Sequence, residues 1–166
     1  MRKFFYTFAF ILCALMTLQA ETMVVATYNL RNANGGDSTN GNGWGQRYPY
    51  IAQIVQFHGF DIFGTQEGKY PQLQDLRQAM PGYDYIGVGR DDGVEKGEYA
   101  PILYKRDRFR LLDSGHFWLA EDSTRPVKGW DAAYVRICTW GFSTGKAANG
   151  SGFSRCIPIT KVSVHR

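Results

Sequence analysis

Apolar and polar positions alternate between strand-like and helix-like spacing in the first half of this chain and stay strand-like afterwards. "MVVATYNLR" (Met23 to Arg31) is rich in β-branched and aromatic residues and predicts a strand. "NANGGDSTNGNGWG" (Asn32 to Gly45) is a long turn-forming stretch of Gly, Asn, Ser and Asp. Ile51, Ile54 and Val55 then recur at helical spacing, with His58 next on that face, and predict a helix from about Arg47 to Phe57. "DIFGTQE" predicts a second strand, which leads from an apolar core to a carboxylate at Glu67. A second helix, Tyr70 to Met80, carries Leu73 and Leu76 on one side and is stopped by Pro81-Gly82. Four strands follow, at Tyr83–Arg90, Tyr99–Arg106, Phe109–Leu119 and Tyr134–Phe142. This order predicts an α+β layered domain with helices on one face of a sheet, without internal repeats.

The ends behave differently from this body. Met1-Arg2-Lys3 is a basic start, Phe4 to Leu18 is nearly unbroken in apolar residues, and Ala20 offers a small residue for cleavage before Glu21. That order reads as a secretory signal peptide over residues 1–20, and the apolar run is short for a membrane span. The mature chain is then expected to lack a transmembrane helix and to be exported, to a periplasm or outside the cell. Cys13 suggests a lipoprotein, but bulky Leu12 precedes it where a small residue is needed. Cleavage leaves 146 residues with 17 basic side chains against 15 acids, so the net charge falls from +4 to about +2. Such a balance argues for no polyanion-binding patch. Of the two remaining cysteines, Cys138 in "YVRICTW" reads as a buried core thiol, although in an exported chain it could pair with Cys156. No metal-binding Cys/His spacing occurs.

Two strands end on oxygens that suit a hard cation: Asn29 in "ATYNLR" and Glu67 in "GTQEG". Mg²⁺ takes oxygen ligands and keeps several waters, so a protein supplies only one or two carboxylates. Alone, Asn29 also reads as a turn former and Glu67 as a solvated cap. "ATYNLR" followed by "FGTQEG", with a helix between, resembles the opening of the endonuclease/exonuclease/phosphatase family, the DNase I-like hydrolases. "GRDDGVEKGEYAPILYKRDRF" and "SGHFWLAEDSTRPVKGWDAAYVRICTWG" are similar to its next strands, in the manner of secreted bacterial members. The resemblance runs from about Val24 to Gly141 and implies the first half of a four-layer αββα sandwich. It also implies Mg²⁺, with Mn²⁺ as the alternative, bound at Asn29 and Glu67, and hydrolysis of phosphate esters by metal-assisted attack of water. The substrates it implies are nucleic acid, phospholipid head groups or sugar phosphates. Glu98 takes the place of the acid that orients the catalytic histidine. Arg136 is a candidate phosphate contact, or pairs with an acid such as Asp131. Arg90, Asp91 and Asp92 either line the site or form a solvated turn, the turn being favoured, and His116, between Gly115 and Phe117, reads as a structural histidine.

The family's second half, with its Thr-His, Asp-x-Asn and Ser-Asp-His strand ends, has no counterpart before Arg166. Residues 143–166 are instead rich in Gly, Ser, Lys and Arg with little apolar periodicity. For one chosen set of synonymous codons, the other reading frame of this tail spells a polar turn, an aromatic strand and a Thr-His. The expected organisation is thus a signal peptide (1–20), a truncated domain (21–142) and an aberrant tail (143–166) produced by a frameshift near Phe142. Two functions stand: a secreted, monomeric, metal-dependent phosphoesterase, or a catalytically inactive relic or binding module of the same fold. Loss of the second half is expected to leave a sheet face at Ile62, Ile102, Leu103 and Ile137 wet. Export predicts that N-terminal sequencing of secreted protein begins at Glu21, whereas an intact Met1 on soluble cytoplasmic protein would refute it.

Overall fold

The computed structural model describes residues 22–145 and the strand at 156–162. The expected signal peptide lies outside the described residues. In chain order the elements are β1 (Val25–Asn29), α1 (Gly35–Thr39), α2 (Trp44–Phe57), β2 (Ile62–Gln66), α3 (Tyr70–Ala79), β3 (Tyr83–Ile86), β4 (Ile102–Lys105), β5 (Phe109–Trp118), β6 (Ile137–Gly145) and β7 (Cys156–Val162). Four strands form one sheet in the order β1-β2-β4-β3, and β5-β6-β7 form an antiparallel second sheet. β1 and β2 are parallel, so α2 serves as their crossover, while β4 runs antiparallel to both β2 and β3.

Strand β2 is central, and both of its faces are covered. Phe63 points with Leu103 into a core shared with α2 and α3, built on Ile51, Val55, Leu73 and Leu76. Ile62 points the other way, toward Ile102 and Phe109. Such a strand reads as continuously apolar because neither side meets water. The second sheet approaches the first at Gly141, where an added Cβ would lie 2.6 Å from Ile86 Cδ1 and push that side chain aside. The α+β layering expected from the sequence is observed.

Several expectations need correction. The face at Ile62, Ile102, Leu103 and Ile137 is dry, each residue being no more than 2% exposed. Helices cover Leu103, Phe109 of the second sheet covers Ile62 and Ile102, and Ile137, itself in β6, packs with Ala100 and Val88. Exposed apolar surface sits instead at the β1 edge, where Val25 is 60% exposed. The turn-rich stretch contains the short helix α1, capped by the Asn34 side chain accepting from the Asp37 N–H. α2 begins three residues before the expected Arg47, and Pro49 is accommodated inside it. β6 starts at Ile137, and the tail contributes β7 to the second sheet. β7 pairs with β6 so that Val162 lies opposite Cys138, whereas Cys156 lies opposite Thr144. Six residues of strand separate the two cysteines in register, about 20 Å at strand rise, too far for a disulfide. Cys138 is the buried free thiol expected.

Asp61 locks the start of β2. Its side chain is 2% exposed, accepts the Val24 N–H at 2.8 Å, and pairs with Lys105 at 3.0 Å and Arg108 at 2.5 Å. Burial pushes this carboxyl up, but the Val24 N–H and the two cations outweigh burial and hold it below the ordinary carboxylate range. Asp61→Ala strands both cations and one N–H, and should lower unfolding free energy by about 3 kcal/mol in urea titrations. A lowered folded pKa means that this contribution is complete above the ordinary carboxylate range and fades as pH falls through the folded value. The gap between wild type and variant should therefore close in acid.

Candidate active site

The parallel register of β1 and β2 decides where the candidate ligands meet. Asn29 lies opposite Gln66, and the ladder continues through the Leu30 N–H to the Gln66 carbonyl at 3.0 Å. Asn29 and Glu67 therefore leave the same sheet edge, and Asn29 Nδ2 donates to Glu67 Oε1 at 2.8 Å. Asn29 Oδ1 accepts the Arg31 N–H at 2.7 Å. The amide thus holds the Glu67 carboxylate with its nitrogen and gives its oxygen to the following turn. In this geometry Asn29 positions Glu67, which remains the charged oxygen donor.

Both residues sit in a turn fixed from behind. Arg47 donates to the carbonyls of Leu30 (2.7 Å) and Arg31 (3.2 Å). Buried Gln72 donates to the Arg31 carbonyl and accepts the N–H groups of Ala33 and Lys69, so α3 is capped and tied to the loop by one side chain. Arg31 pairs with Asp37 at 2.6 Å and holds that carboxyl down to about 2. Gly68 then lets β2 turn: an added Cβ would lie 2.9 Å from Leu30 Cδ1. The Gly68 carbonyl accepts the Tyr99 N–H at 2.8 Å, which brings Glu98 beside the strand end.

Asn32, Glu67, Arg90, Glu98, Trp130, Asp131, Tyr134 and Arg136 all line one cleft of about 830 Å³. Glu98 accepts Asn32 Nδ2 at 2.9 Å and pairs with Arg90 at 2.7 Å. Arg136 lies just before β6, with its guanidinium 5.8 Å from the Tyr134 ring centroid. Arg90 approaches the same ring at 5.6 Å. Arg90 is thus a cleft residue rather than part of a solvated turn. Asp92 does form the turn, accepting the N–H groups of Val94 and Lys96. His116 stands edge-on to Trp118 at 5.2 Å, in keeping with a structural role. The sequence reading missed Asn32, Trp130 and Tyr134. Tyr134 and Arg136 carry a two-residue spacing that would put them on one side of an extended segment, but nothing in the polar loop singles out Trp130.

Three non-glycine residues among those described have positive φ: Arg31 (52°), Glu67 (62°) and Trp130 (49°). Glu67 and Trp130 line the cleft, and Arg31 adjoins it. Left-handed backbone costs an L-residue about 1–2 kcal/mol and persists only where its surroundings dictate it. The donor set fits a hard cation: one carboxylate, held by an amide and facing an open cleft, with a second acid on the same wall. Among the described residues no group of three or more His, Cys, Asp and Glu forms a closed metal cage, so Mg²⁺ here would keep several waters.

No family model matches the chain. Solved structures do. A family protein from Bacteroides thetaiotaomicron is 54% identical with a TM-score of 0.78, over 86% of this chain and 51% of its own. The mannosyl-6-phosphatase of the same organism is 55% identical with a TM-score of 0.77, over 84% and 51%. A counterpart from Bacteroides vulgatus is 42% identical with a TM-score of 0.78, over 86% and 52%. The first and third are endonuclease/exonuclease/phosphatase proteins by description. The fold is thus that of the endonuclease/exonuclease/phosphatase proteins. The chain matches the N-terminal portion of endonuclease/exonuclease/phosphatase family proteins and spans about half the length of these structures.

If the site imposes the Glu67 backbone, removing its Cβ should help folding. Glu67→Gly and Glu67→Ala both lose the carboxylate, but only glycine is unstrained at φ 62°. Glu67→Gly should be the more stable of the two by about 1 kcal/mol in thermal or urea unfolding.

Proposed function

We propose that this chain supplies the cation-binding and phosphate-facing side of a divalent-metal-dependent phosphoester hydrolase. The observation that carries the reading is the strained Glu67 carboxylate, fixed by Asn29 and opening into a cleft whose lining includes Arg90 and Arg136. Glu67 would hold Mg²⁺ or Mn²⁺, and Asn29 would fix the carboxylate orientation. A bound cation would stabilise the charge that develops on phosphate oxygens. Arg136 and Arg90 offer guanidinium groups to the ester's phosphate, and Glu98 holds Arg90 in place. Of the phosphate esters considered, a sugar phosphate is the best supported, because a relative at 55% identity is a mannosyl-6-phosphatase. The modest net charge favours neither nucleic acid nor an anionic lipid surface. Residues 1–20 support export, and among the described residues no helix is long and apolar enough to cross a membrane.

A second reading, binding without turnover, has its own support: no histidine is among the described residues that line the cleft. General acid–base catalysis typically contributes 10²–10⁴-fold. Purified chain should bind Mn²⁺ weakly and saturably, and Glu67→Gln should abolish that binding. Phosphate release from mannose 6-phosphate should run about 10²–10⁴-fold slower than for the Bacteroides thetaiotaomicron phosphatase assayed alongside. Manganese binding indifferent to Glu67→Gln would overturn the assignment, and rates equal to the benchmark would eliminate the second reading.

A further inference from the structure

Trp130 is an anomaly at the cleft. A tryptophan normally buries much of its ring, yet this one is 71% exposed, and its backbone is held at φ 49°. The loop that carries it is built rather than loose. It leaves β5 and returns to β6 between Leu119 and Arg136, whose backbones are joined by the Leu119 N–H to the Arg136 carbonyl at 2.9 Å. Gly129 is wedged against the end of β5, where an added Cβ would lie 2.2 Å from the Leu119 carbonyl oxygen and 2.5 Å from Ala120 Cα. The Gly129 carbonyl accepts the Ala132 N–H at 3.0 Å, closing a tight turn with Trp130 on it. An indole displayed by a strained, anchored turn loses little freedom when something stacks on it.

We propose that Trp130 is the specificity-determining platform for the organic part of the phosphate ester, and that this part is a sugar ring. The inference rests on the phosphoester reading of the same cleft. A cation and one phosphate do not fill about 830 Å³, so the cleft has room for the rest of the ester. Its lining pairs aromatic faces, Trp130 and Tyr134, with the carboxylates of Asp131 and Glu98 and the guanidinium groups of Arg90 and Arg136. A hexose matches both: its apolar C–H face lies on an aromatic ring, and its hydroxyls donate to carboxylates and accept from guanidinium groups. Asp131, adjacent to Trp130 in the chain and lining the same cleft, is a candidate acceptor. Phosphate recognition stays with the cation and the arginines, so the two parts of the ligand are read by separate groups.

The test is calorimetric titration of the full chain with Mn²⁺ present, using mannose 6-phosphate, inorganic phosphate and adenosine monophosphate. Trp130→Ala should weaken mannose 6-phosphate binding about tenfold, from the apolar area no longer covered, and leave inorganic phosphate binding unchanged. Trp130→Phe keeps an aromatic face and should restore most of the loss, which a merely misfolded loop would not. Equal weakening of both ligands, or of neither, would overturn the proposal while leaving the phosphoester reading intact. Stronger weakening of adenosine monophosphate than of mannose 6-phosphate would assign the platform to a base and overturn it too. If wild-type chain binds none of the three, the phosphoester reading fails, and this inference fails with it.

Discussion

Everything at the site depends on a five-residue strand that is buried on both faces and anchored by an acid at its start. β2 cannot slip by one residue, because Ile62 and Phe63 would exchange cores and every side chain would change faces. Asp61 reinforces that register electrostatically, since a buried carboxylate must keep Lys105, Arg108 and the Val24 N–H as partners. With the start pinned and the faces assigned, the other end falls at one place only. That place is Glu67, where the backbone turns left-handed and the carboxylate leaves the sheet.

The cleft is assembled from segments far apart in the chain, each restrained from behind. Arg47 and Gln72 hold the carbonyls of the loop after β1, and Asn29 transmits that constraint to Glu67. Beside that strand end, Glu98 and Arg90 neutralise each other while Tyr134 lies against both Arg90 and Arg136. Pairing the charges in this way keeps two guanidinium groups near the cleft without leaving them unpartnered. The strained positions Arg31, Glu67 and Trp130 gather around this one region. Strain collected at a cleft is the pattern of a site whose geometry is held against the local preference of its backbone.

How much of this was legible in the sequence differs from element to element. Alternating and helical apolar spacing located β1, β2 and both longer helices, because burial of one face imposes a period on the residues that form it. The strand ends at Asn29 and Glu67 were legible for the same reason, and the buried Cys138 was too. Periodicity carried no information on α1 or β7. The first depends on a single Asn34 cap within a glycine-rich stretch, and the second on pairing with β6. Local composition says nothing about either partner.

The sequence by itself determined β1, β2 and the two longer helices, and that two of the strands end on oxygen-bearing side chains. Tertiary structure alone decided that Ile62, Ile102 and Ile137 are dry, since Phe109 of the second sheet covers the first two and Ala100 packs on the third. It also decided the roles in the cleft. Arg90 became a wall residue because Glu98 and Tyr134 reach it from other segments, and Trp130 became a displayed platform because Gly129 packs against the end of β5. The physical reason is range. Apolar period and strand-end chemistry are properties of neighbours in the chain, whereas charge pairing, close backbone approach and left-handed strain are set by residues that meet only after folding.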